Sequence, residues 1–152
     1  MITKNQLAQL VADNKRQMKK VWTGSNLPVI GFTSEDKNGQ KKIDQTIDLA
    51  LFKKELMSMP EGMVFTLGRN PDCDFRPGYQ KWVENCMRNK MSKEEAEEYY
   101  LTVFRTISRY HVAIERVGNC YTIYDSSLAG TVVFPRAEEP KPMPKKHWWK
   151  FF

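Results

Sequence analysis

Cysteine is sparse in this chain. Cys73, Cys86 and Cys120 are the three present, and no two form a Cys-x-x-Cys pair. An odd count without paired spacing argues against a disulfide-knit scaffold and suits a reducing compartment. The histidines are only His111 and His147, so the closely spaced pairs of a zinc site are missing and no metal or cofactor is expected. Long apolar runs are missing as well. None approaches the roughly 20 residues of a membrane-spanning helix, and Met1 opens a polar, helix-like segment rather than a secretory signal. A cytoplasmic protein is expected. There is no phosphate-binding P-loop, no nucleophile elbow and no nucleophile–base–acid set, so nothing supports an enzyme. Finally, a strong excess of one charge is missing: 24 Lys+Arg stand against 18 Asp+Glu, a net charge of +6. That balance favours an acidic or phosphorylated partner but is modest for a dedicated nucleic-acid binder.

What is present fits one folded domain. Hydrophobic residues make up 41% of 152, enough for a core at a length that leaves no room for two ordinary domains. Residues 3–22 carry Leu7, Leu10, Val11, Met18, Val21 and Trp22 at three- and four-residue steps. That period predicts an amphipathic helix, with Thr3 and Gln6 as a capping box. The segment 1–24 is expected to pack on the domain, its basic residues Lys15, Arg16, Lys19 and Lys20 facing water. Residues 29–33 and 43–49 read as strands joined through Asn38-Gly39, a hairpin signal whose turn needs positive φ at both positions. Residues 50–58 look helical, and Met63, Phe65 and Leu67 share one face of a further strand.

Residues 77–105 break this strand-rich pattern. Trp82 and Cys86 recur at helical spacing, and Ser92 with Glu95 makes another capping box. Glu94, Glu95, Glu97 and Glu98 follow where the helix dipole favours negative charge. The stretch reads as an inserted α-hairpin. Strand character returns after it, with Val112 and Ile114 alternating with Ala113 and Glu115.

Three short motifs carry chemistry. "LGRN" places Arg69 just after a strand, with Gly68 permitting a sharp turn. "ISRYH" places Ser108 before another strand and His111 three residues on. "SSLAGT" forms a third turn through Gly130. A phosphate monoester is held by a planar guanidinium fork, a hydroxyl and loop amides, and loops on a rigid sheet can supply all three. Each residue has a plainer alternative. Arg69 pairs with Asp72 or Asp74 on the surface, and Ser108 caps a turn.

"FTLGRNPDCDF", "ISRYHVAIE" and "YDSSLAGTVV" together, in this order, resemble the forkhead-associated (FHA) domain, whose motifs run Gly-Arg, Ser-Arg-x-His and Asn-Gly-Thr. The resemblance covers roughly residues 62–134 without the insertion. It implies a mainly β fold, a two-sheet β-sandwich over 25–135 with binding loops at one end, flanked by the N-terminal helix and interrupted by the α-hairpin. It also implies recognition of phosphothreonine peptides. By position, Arg69 and Ser108 would contact phosphate and Arg109 would flank it. Gly68, His111, Gly130 and Thr131 would shape the loops. Two features depart from the pattern. Ala129 stands where the family has the Asn that bonds peptide backbone, with Leu128 before it. The insertion enters between the two phosphate-contact loops, where it extends or blocks the site.

Two expectations follow. The chain is a phosphopeptide-binding module with altered grip, or a phosphate-independent scaffold that binds protein partners through its insertion or termini. The Pro-rich tail, 136–152, ends in Trp148, Trp149, Phe151 and Phe152. It is expected to dock beside the N-terminal helix, with a membrane surface or a partner as the other destinations.

Overall fold

In a computed structural model describing residues 1–136, the chain forms two antiparallel sheets and four helices. The larger sheet has five strands: β1 (Ile2–Thr3), β2 (Lys19–Gly24), β5 (Met63–Leu67), β6 (Val112–Val117) and β7 (Cys120–Asp125), in the order β1-β5-β6-β7-β2. The smaller holds β3 (Val29–Glu35), β4 (Lys41–Asp48) and β8 (Thr131–Phe134), with β3 in the middle. The tail from residue 137, with its aromatic end, lies outside the described residues.

Alternation along the strands builds the core. Phe65, Leu67, Val112, Ile114 and Ile123 point from the five-stranded sheet toward Ile30, Phe32 and Ile47 of the smaller one, so the two sheets face each other across one apolar layer. A 3₁₀ turn (Leu49–Phe52) and the short α2 (Lys53–Met57) close one side of that layer with Leu49 and Leu56, both fully buried. The other face of the large sheet presents Val64, Ala113 and Tyr124. Helix α1 (Lys4–Asp13) covers it with Leu7 and Val11. Each of those two side chains contributes roughly 1.5–3 kcal/mol by leaving water.

The expected N-terminal helix is half as long as its periodicity suggests. The Thr3–Gln6 capping box is present, but the helix stops at Asp13, and Lys15 takes φ 58°. Residues 19–24 instead form β2, an edge strand paired with β7, so Val21 and Trp22 are strand residues. Their three- and four-residue steps from Met18 do not mark one helix face: Met18 joins the α1 side of the large sheet, while Trp22 packs on the core between the sheets. The β3–β4 turn also differs. Asp36 accepts hydrogen bonds from the amides of Asn38 and Gln40, and only Gly39 needs a positive φ. Phe75 makes a single parallel bridge to Leu67.

The α-hairpin is present as α3 (Tyr79–Arg88) and α4 (Lys93–Val103), with Ser92 capping the Glu95 amide. Tyr100 stacks on Phe104, Trp82 meets Phe104 edge-on, and the Trp82 indole donates to the Ala96 carbonyl at 2.9 Å. These aromatics give the insertion its own small core. The longest described helix has 11 residues, and none is long and apolar enough to cross a membrane.

Candidate functional site

Three loops meet at one end of the sheets, and backbone bonds tie them together. The Arg69 amide donates to the Ser108 carbonyl and the Asn70 amide to the Arg109 carbonyl, both at 3.1 Å. This pairing needs close approach at Gly68: a Cβ there would lie 2.2 Å from the Arg109 carbonyl oxygen. The third loop joins through side chains. The Ser108 hydroxyl oxygen accepts from the Leu128 amide at 3.1 Å, leaving its own proton free to donate outward. Ser127 Oγ accepts from the Gly130 amide, and the Thr131 hydroxyl donates to Asp125, fixing a turn in which Gly130 has φ 103°.

His111 sits at the centre of these loops, fully buried. Its Nδ1 accepts from the Ser108 amide at 3.0 Å, and its Nε2 lies 3.1 Å from the Gly130 carbonyl. An acceptor at Nδ1 fixes the neutral Nε2–H tautomer. Burial pushes the imidazole pKa below its ordinary value, against the opposing pull of the Gly130 hydrogen bond and the Asp125 charge. His111 packs edge-on against Phe32 of the other sheet, so the brace connects both layers.

Around this frame lies an open cavity of about 410 Å³. Arg16, Arg69, Arg105, Ser108 and Arg109 line it, with Glu35 as its carboxylate and Leu128 and Ala129 on its rim. Arg69, Ser108 and Arg109 are thus brought together, while Gly68, His111, Gly130 and Thr131 sit in or behind the loops. Arg69 pairs with neither Asp72 nor Asp74: the Asp74 carboxylate accepts from the amide and hydroxyl of Thr66. The Arg69 guanidinium instead reaches the insertion. Its Nη1 donates to the Leu101 carbonyl at 2.6 Å, and its Nε is buried without a partner among the described residues. Burial, then the neighbouring Arg109 charge, pushes the Arg69 pKa down. The guanidinium stays charged all the same, so the cavity concentrates positive charge that an anion would relieve.

The insertion flanks the cavity rather than filling it: only Arg105 and Thr106, at its exit, are among the lining residues. A strut holds it in place. Arg76 donates from Nε to the Arg69 carbonyl at 3.1 Å, makes a two-pronged pair with Glu97 at 2.7 Å, and lies over the rings of Tyr79 and Tyr100. Tyr100, fully buried, donates to the Pro77 carbonyl at 2.8 Å. Cys73 donates to the Arg109 carbonyl, and burial pushes its thiol pKa up to about 12, which favours the protonated thiol.

Reasoning from sequence missed Arg105 and the Arg76–Glu97 strut, and counted Arg16 only as part of a solvated helix face. Arg105 stands three residues before Ser108 in "FRTIS", a spacing that marks it only once the loop path is known.

The fold and cavity together define a β-rich protein of two antiparallel sheets with a basic, hydroxyl-lined site among its loops. Comparison with family models, curated proteins and solved structures finds no match.

Proposed function

We propose that this chain is a non-catalytic module that binds phosphothreonine-containing peptides, an FHA-like sandwich with an altered hold on the peptide backbone. The observation that carries the proposal is the convergence of Arg69, Ser108 and Arg109 on one open cavity, with Arg16 and Arg105 adding charge. Arg69 supplies the planar fork and Ser108 a hydroxyl donor held in place by the Leu128 amide. Ala129, on the rim, offers no side-chain amide to the peptide. The test is a titration of a phosphothreonine peptide library against unphosphorylated controls. Phosphate-dependent binding is expected, and Arg69→Ala should weaken it about ten- to a hundredfold, as loss of charged hydrogen bonds does. Binding that ignores the phosphate, or that survives Arg69→Ala, would overturn the proposal.

A second function is favoured by one contact. Arg69 Nη1 already has an acceptor in the Leu101 carbonyl, and the hairpin exposes Met87, Tyr99 and Val103. A phosphate-independent scaffold would use that outer face to hold a protein partner. Partners that stay bound after phosphatase treatment and in Arg69→Ala support it, and partners lost on phosphatase treatment count against it.

A further inference from the structure

The Leu128–Ala129 turn has two sides. On the far side from the arginine cavity lies a second one of about 570 Å³, and Leu128 and Ala129 line both. Its charged lining is Lys19, Lys41 and Lys42 against the single carboxylate of Asp125. That carboxylate is engaged locally, accepting from the Ser127 amide and the Thr131 hydroxyl. Lys42 lies 3.8 Å from Asp44, the lysine side chain largely in water and that of the aspartate partly buried, a long pair at the surface of little energetic weight. The Lys41 ammonium stands 3.9 Å from where a Cβ on Gly130 would sit and makes no ion pair among the described residues. The strands hold these lysines in place, since Lys41 begins β4 and Lys19 is the register partner of Asp125 in β2–β7.

From this juxtaposition we propose that the lysine cavity is a second anion site, taking an acidic or phosphorylated side chain of the same peptide whose phosphothreonine occupies the arginine cavity. The inference rests on the phosphopeptide function above. Leu128 and Ala129 line both cavities and Leu128 is exposed, so an extended peptide, advancing about 3.3 Å per residue, that crosses Leu128 meets both linings. The lysine side chains are point charges without a planar fork, so the second site takes either a carboxylate or a phosphoryl group. A peptide chosen by this protein is therefore doubly anionic.

The test uses the full chain and a phosphothreonine peptide with alanine at every flanking position. Aspartate, then phosphoserine, replaces each flanking alanine in turn, and affinity is read by fluorescence anisotropy. One position, on one side of the phosphothreonine, should tighten binding about two- to fivefold with aspartate, as exposed ion pairs allow, and the gain should shrink as salt is raised. A greater gain with phosphoserine assigns the site to a phosphoryl group, and an equal gain to any anion. Lys41→Gln should remove the gain. Lys41→Glu, folded by circular dichroism, should reverse it, so that lysine at that peptide position binds better than aspartate. Phosphate-dependent binding with no preference for acid at any position overturns this inference alone. Absence of phosphate-dependent binding overturns the phosphopeptide function and this inference with it.

Discussion

At the scale of single residues, the loops around the arginine cavity are braced by one buried histidine. His111 is buried and neutral, accepting from Ser108 and bonded to Gly130. Its folded pKa lies below the ordinary value while the unfolded chain keeps about 6.5. The unfolded state therefore binds the proton first, and stability falls as pH drops below about 6.5, by at most about 1.4 kcal/mol per pH unit. Thermal melts between pH 7.5 and 5 should show that loss, and His111→Gln should flatten it. A His111→Gln profile as steep as the wild type would place the dependence elsewhere. Gly68→Ala meets backbone rather than a yielding side chain. It should cost about 1–3 kcal/mol in a denaturant melt, with a parallel loss of phosphopeptide affinity. Ala129→Asn works in the opposite sense. It adds an amide to the cavity lining and should tighten a phosphothreonine peptide about three- to tenfold in the same anisotropy assay. No gain would mean that the peptide backbone does not pass this turn.

At the scale of elements, the insertion is bound to the site through Arg76. Hydrogen bonds from Arg76 hold the Glu97 carboxyl below the usual carboxylate range. The pair therefore contributes stability above the unfolded pKa of about 4.3 and loses it as pH falls through the folded value. Glu97→Gln should cost about 1–2 kcal/mol, speed amide exchange in α3 and α4, and weaken the phosphopeptide, because Arg76 also bonds the Arg69 carbonyl. Unchanged exchange in the hairpin would remove the strut from the account. The elements themselves were unevenly legible in the sequence. β5 and β6 show their two-residue alternation, and α4 its Ser92 cap, because those signals are local. β2 does not: Val21 and Trp22 fit a helical period as well as a strand, and the choice was made by pairing with β7, about a hundred residues away. The Leu101 carbonyl on Arg69 and the entry of Arg16 into the cavity are tertiary events of the same kind. Motif spacing found the loops. It did not reveal that the insertion holds one of them.

At the scale of the whole molecule, basic side chains gather around one turn. Four arginines and three lysines face two cavities that share one turn, while the acidic residues of α4 lie outside both. Such a surface steers anions and loses affinity with salt. In the function proposed here, a phosphate group docks between Arg69, Ser108 and Arg109. The most direct test of that docking is a nuclear magnetic resonance titration of the isotope-labelled protein with one phosphothreonine peptide and its unphosphorylated twin. The phosphorylated peptide should move the Arg69 side-chain signal and the amides of Ser108, Arg109 and Leu128, and the twin should leave them still. Equal shifts with both peptides, or shifts confined to the outer face of α3 and α4, would contradict it.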